Sequence, residues 1–149
     1  RGPVEEDLRR QAGDFVVRRA DGVHAYQLAV VVDDGLMGIT HVIRGADLLS
    51  STARQIWLHM LLGYRPPQFG HVPLLLGEDG HRLSKRHASL SVAQLRAKGV
   101  RPEQIAGYLA HLAGLAPSAA PLHPRDLIGA LDLARLPGAD ITVPSIIPG

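Results

Sequence analysis

The apolar positions of this chain change period partway along it. Asp14-Phe15-Val16-Val17-Arg18-Arg19 is a short β-rich run closed by Ala20-Asp21-Gly22, which predicts a strand ending in an Asp-Gly turn. The run from Ala25 to Val32 is compatible with a strand or with a buried helix, because β-branched residues and helix formers alternate in it. Gly38 to Gly45, a β-branched segment between glycines, predicts a buried strand of a parallel sheet. Ser50-Ser51-Thr52 offers capping hydroxyls to a helix with Ala53, Ile56, Trp57, Met60 and Leu61 on one face and Gly63 at its end. That spacing makes Trp57 a core residue, not a base-stacking platform. His71 to Leu76 predicts a further buried strand before the Glu78-Asp79-Gly80 turn, so strand, helix and strand form a βαβ unit.

Beyond Ser91 the pattern is helical. One helix runs from Val92 to Lys98. A second opens at Pro102 with Ile105, Tyr108, Leu109 and Leu112 on one face, and a third is expected from about Pro124 to Leu133. Pro137 to Gly149 is expected to be an irregular tail. The fold expectation is therefore α/β: residues 1–88 form the sheet-bearing part and 89–149 a helical region with its tail.

Composition narrows the chemistry. The chain has 149 residues, of which 46% are hydrophobic and 20% charged, enough for a packed core and too apolar for a disordered segment. It has no cysteine, which removes disulfides and thiolate zinc sites. The eight histidines are scattered without metal-ligand spacing, so no metal ligand is assigned. A net charge of +2 gives no global field for nucleic acid, and any cationic site must be local. No apolar run is long enough to span a membrane. Asp33-Asp34 reads as a solvated turn before Gly35, since adjacent side chains on one element point apart and make a poor acid-base pair. The first residue is Arg1, and the chain is expected to begin within a longer protein.

The most informative segment is Gly80-His81-Arg82-Leu83-Ser84-Lys85-Arg86-His87, where fixed cations and a hydroxyl follow a strand end closely enough to wrap a phosphate group. Leu83-Ser84-Lys85-Arg86 resembles the mobile signature loop of class I aminoacyl-tRNA synthetases, in the form found in the glutamyl group. The resemblance extends through Asp14 to Arg18, Ala25 to Asp34, Gly38 to Thr52 and Phe69-Gly70-His71-Val72-Pro73, in that group's order and spacing, so that it covers about residues 14–90.

The resemblance implies the second half of a Rossmann-like catalytic domain followed by a helical stem-contact region. Tyr26 and Arg44 match the residues that hold glutamate, chemistry suited to a phenol and a guanidinium. From the residues alone, a core tyrosine with a satisfied hydroxyl and an arginine paired to a nearby Asp remain open. Gly45 and Asp47 match a turn beside the ATP ribose. Leu83, Ser84, Lys85 and Arg86 match the loop that carries the ATP phosphates, with Lys85 as the catalytic cation. ATP with Mg²⁺, glutamate and tRNA are the implied substrates, in a cytoplasmic monomeric ligase. Two features resemble the truncated glutamyl-Q tRNA(Asp) synthetases more closely than the full glutamyl enzymes: Val30 stands where the latter place asparagine, and only 63 residues follow Arg86. The implied acceptor is then the queuosine base of tRNA(Asp). The alternatives are a piece of a glutamyl-tRNA synthetase charging tRNA(Glu), or a non-catalytic relative binding RNA or nucleotide. Because the first ATP motif and any zinc site of the family would lie upstream, this chain is expected to have little activity alone.

Overall fold

The structure is a computed structural model that describes residues 4–83, 91–129 and 131–143. It divides between Val72 and Pro73 into two compact units.

In the first unit a four-residue helix α1 (Leu8–Gln11) is capped by the Asp7 side chain. The Asp-Gly turn forms as expected: Asp21 accepts from the Val23 amide at 3.1 Å and pairs with Arg19 at 2.8 Å, and Gly22 takes a φ of +85°. The strand expected over 14–19 does not form; an isolated bridge between Arg18 and His24 flanks the turn, with the Arg19 amide donating to the Val23 carbonyl at 2.8 Å and the Ala25 amide to the Val17 carbonyl at 2.9 Å. A lone two-stranded ribbon with no third strand beneath it has too little buried surface to hold a ladder. The ambiguous run resolves as helix α2 (Tyr26–Met37), with Val31 fully buried and Gly38 ending it in the left-handed conformation at φ +66°. Asp33 and Asp34 therefore lie within that helix and not in a turn. Gly35 is required by packing, since a Cβ there would stand 2.5 Å from the Tyr64 ring.

Strand β1 (His41–Gly45) leads through a 3₁₀ turn (Ala46–Ser51) into α3 (Thr52–Leu61), which returns the chain to β2 (Gln68–Val72). The two strands pair in parallel, with Arg44 opposite His71 and Gly45 opposite Val72. This is the predicted βαβ unit. The strand is less buried than expected, because the sheet has two strands among the described residues and Ile43 is 56% exposed.

Helix α3 departs most from its expected face. Its buried residues are Gln55, Leu58 and His59, whereas Trp57, Met60 and Leu61 are largely exposed. Trp57 is thus not a core residue; with Ile56, Met60, Leu49, Val4 and Leu8 it lines an apolar cavity of about 300 Å³. Gln55 goes inward because Arg44 of β1 and Gln27 of α2 offer it hydrogen bonds, whereas buried His59, among the described residues, hydrogen-bonds only to the Gln55 carbonyl of its own helix.

In the second unit the expected strand over 71–76 is broken at Pro73, which has no amide hydrogen to donate to a ladder. Val72 ends β2, and β3 (Leu75–Leu76) pairs instead with β4 (Ile141–Thr142). The tail is accordingly not wholly irregular: its strand is fixed to β3, and Asp140 accepts from the Leu74 amide at 3.0 Å. Helix α4 (Val92–Ala97) is capped by Ser91 and closed at Gly99, φ +80°. Helix α5 (Pro102–Leu112) starts at its proline, with the Gln104 side chain accepting from the Arg101 amide at 2.9 Å. Its buried residues are Gly107, Tyr108 and Ala110, while Leu109 is 43% exposed, contrary to the expected face. Two short 3₁₀ turns, Pro124–Leu127 and Leu133–Arg135, stand in place of the expected third helix. The intervening Gly129 adopts φ +90°, which a helix cannot include.

Candidate amino-acid site

The site is built at the carboxyl end of β1, where the sheet delivers Arg44 and the following turn delivers Asp47. Arg44 is half-buried and its guanidinium makes four hydrogen bonds. Nε donates to His71 Nε2 at 3.2 Å, and one terminal nitrogen donates to Gln55 Oε1 at 2.6 Å. The other donates to the Leu48 carbonyl at 3.2 Å and to Thr52 Oγ1 at 2.8 Å. The Phe69 ring covers the guanidinium with its centroid 4.8 Å from the central carbon.

All four acceptors are neutral. An arginine nitrogen can only donate, so the bond from Nε fixes His71 as the neutral tautomer with its proton on Nδ1. The expected alternative of an arginine tied to a carboxylate is not what these bonds provide. Burial lowers the Arg44 pKa, and Tyr26, Asp34 and Asp47 act in the opposite sense from nearby. A guanidinium remains charged at any physiological pH, so Arg44 presents a fixed positive charge that its own partners position without cancelling.

Tyr26, the first residue of α2, is 53% exposed, so it is not a core tyrosine. Val30 lies one helical turn further along α2. Gly45 ends β1 with an ordinary negative φ and leads into the turn that carries Asp47 in its first residues. The structure thus brings Tyr26, Arg44 and Asp47 into one neighbourhood, with Gly45 between the last two along the chain.

Leu83 belongs to the second unit, where its amide donates to the Leu75 carbonyl at 3.2 Å after the Gly80 turn. Ser84, Lys85 and Arg86 lie outside the described residues. Among the described residues no group of three or more His, Cys, Asp or Glu side chains could hold a metal ion, and no helix is long and apolar enough to cross a membrane.

Sequence reasoning missed the residues that hold Arg44. Gln55 and His59 are each 1% exposed. Gln55 Nε2 donates to Gln27 Oε1 at 2.8 Å, and Gln27 Nε2 donates to Ser51 Oγ at 2.9 Å. Polar residues opposite an apolar stripe read as solvent-facing, and only the position of Gln27 beside Tyr26 hinted otherwise.

The profile of the family described as tRNA synthetases class I (E and Q), catalytic domain, matches residues 2–122. The chain belongs to this family. The resemblance read from Leu83-Ser84-Lys85-Arg86 and from the segments over about residues 14–90 is therefore borne out, and with it the class I synthetase catalytic fold of a ligase family. The chain is 57% identical over 133 residues, 89% of its length, to a protein of Symbiobacterium thermophilum named Glutamyl-Q tRNA(Asp) synthetase, of which it covers 41%. It is 53% identical over 112 residues, 75% of its length, to Glutamate--tRNA ligase 2 of Halorhodospira halophila, of which it covers 24%. A solved glutamate-tRNA synthetase from Elizabethkingia anophelis superposes on 87% of this chain and 30% of its own, with a TM-score of 0.72 and 29% identity. The chain thus spans less than half the length of these relatives.

Proposed function

We propose that this chain supplies the glutamate-holding part of an enzyme that activates glutamate with ATP and transfers it to the queuosine base of tRNA(Asp). The observation that carries the reading is Arg44, a charged guanidinium held by four neutral partners beside the exposed phenol of Tyr26. Such a group attracts a carboxylate, and the phenol adds a directed hydrogen bond. Four of its five N–H donors are engaged, so the ligand meets a fixed charge and one remaining N–H rather than a whole open fork.

In the proposed reaction the glutamate α-carboxylate attacks the α-phosphorus of ATP, pyrophosphate leaves, and a hydroxyl of the modified base then takes the glutamyl group from the adenylate. Gly45 and Asp47 flank the ribose, Leu83 to Arg86 meet the phosphates, and Lys85 stabilises charge as it develops on them. Mg²⁺ travels with the nucleotide phosphates. The acceptor preference is supported by Val30 and by two glutamyl-Q relatives that align along 89% and 98% of the chain; a third aligns along 62%, against 75% for the Halorhodospira ligase. A glutamate-tRNA ligase acting on tRNA(Glu) is the second reading, favoured by relatives of that name at 51–54% identity.

The test is transfer of labelled glutamate by the complete cytoplasmic protein. Label on queuosine-containing tRNA(Asp) and none on its unmodified form supports the first reading. Label at the 3′ end of tRNA(Glu) supports the second, and label on neither overturns both.

A further inference from the structure

We propose that Gln55 is a positioning residue for the substrate-binding arginine, and that its neutrality is what leaves Arg44 available to an anionic ligand. The inference rests on the reading of Arg44 as a carboxylate ligand. Gln55 stands on the buried face of α3, 1% exposed, with its side-chain oxygen 2.6 Å from an Arg44 terminal nitrogen. Because arginine can only donate, that contact fixes which end of the amide is oxygen. The Gln55 nitrogen must then point the other way, and it donates to Gln27 Oε1 at 2.8 Å; the Gln27 nitrogen in turn donates to Ser51 Oγ at 2.9 Å. The result is a directional chain of neutral groups that runs from Ser51, itself buried, through α2 and α3 to the guanidinium.

A glutamate would fill the same volume at position 55 and make a stronger bond. It would also place a negative charge within 3 Å of the guanidinium, closer than those of Asp34 and Asp47, and weaken the attraction for an anionic ligand. The amide oxygen gives the direction of a hydrogen bond without that weakening. A purely structural residue would be improved by the added charge, whereas a positioning residue for a carboxylate site would be ruined by it.

The experiment therefore compares Gln55→Glu and Gln55→Met in the complete protein by thermal denaturation, by glutamate-dependent ATP-pyrophosphate exchange, and by the ¹⁵N resonances of the Arg44 terminal N–H groups, one of which donates to Gln55. In Gln55→Glu the Gln27 amide can turn over to donate to the new carboxylate, with Ser51 donating in return. The expected result is a melting temperature equal to or above the parent's with a glutamate KM raised at least tenfold and an ATP KM within twofold. In Gln55→Met the Arg44 terminal N–H that donates to Gln55 is expected to exchange with solvent at least tenfold faster. A folded Gln55→Glu protein whose glutamate KM stays within twofold overturns the proposal, as does an unchanged Arg44 exchange rate in Gln55→Met. If Arg44→Ala itself leaves the glutamate KM unchanged, the functional reading of Arg44 fails, while the exchange rate still decides whether Gln55 positions it.

Discussion

Replacing Arg44 with lysine keeps the charge and removes the geometry. The four acceptors are served by three different guanidinium nitrogens, over 2.6–3.2 Å. A lysine ammonium carries its three protons on one atom and cannot reach His71, Gln55 and the Leu48–Thr52 pair together, so at most two of the four contacts survive. If Gln55 Oε1 is abandoned, a buried acceptor loses its partner, which costs about 1–3 kcal/mol, and another hydrogen bond lost at this half-buried group adds about 1 kcal/mol. The cation-aromatic contact with Phe69 is also weakened. Arg44→Lys is therefore expected to destabilise the fold by about 2–4 kcal/mol and to lower Tm by roughly 4–16 °C for a chain of this size. Urea denaturation followed by circular dichroism gives the first number and a thermal scan the second. A variant within 0.5 kcal/mol of the parent would refute the clamp, because it would mean that the guanidinium's four bonds are no better than those of a flexible ammonium.

Three other substitutions test separate parts of the account. Gly107→Ala places a methyl group against the Ala120 carbonyl within α5's packing; the overlap outweighs the gain in helix propensity of about 1 kcal/mol, and a net loss of about 1–2 kcal/mol or more is expected by denaturant titration. Tyr108 is 8% exposed and its hydroxyl has no hydrogen-bond partner among the described residues, so burial raises its pKa. A phenol whose folded pKa exceeds its unfolded value contributes stability fully below pH about 10 and loses it as pH rises through the folded value. Tyr108→Phe is therefore expected to be at least as stable as the parent at pH 7 and to lose less stability than the parent above pH 10. Lys85→Ala in the complete protein is expected to lower the rate of glutamate activation by roughly 10²–10³-fold with glutamate affinity nearly unchanged, measured by pyrophosphate exchange.

The βαβ grammar was legible because glycines bracket β1 and a run of hydroxyl residues precedes the helix that follows it, although Ser51 makes no side-chain cap to that helix and accepts from Gln27 instead. Helix α2 was not decided by its residues: Val30, Val31 and Val32 favour strand, yet contact with α3 and the left-handed Gly38 end hold a helix. The break at Pro73 could have been read from the missing donor, but the apolar run on both sides of it masked the change of partner from β1 to β4. For the site, Tyr26, Arg44, Gly45 and Asp47 were named through a family pattern, and the first, second and last of these share one neighbourhood. The groups that aim Arg44 were illegible, because Gln27, Gln55, Thr52 and His71 come from three elements and binary patterning assigns buried positions to apolar residues.

The most direct measurement is a crystal structure of the complete protein with L-glutamate bound. The account predicts a glutamate carboxylate oxygen about 2.7–2.9 Å from the Arg44 guanidinium, a hydrogen bond from Tyr26, and Gln55 still in contact with the same arginine. Glutamate bound elsewhere, with Arg44 retaining its four partners and touching no ligand, would contradict it.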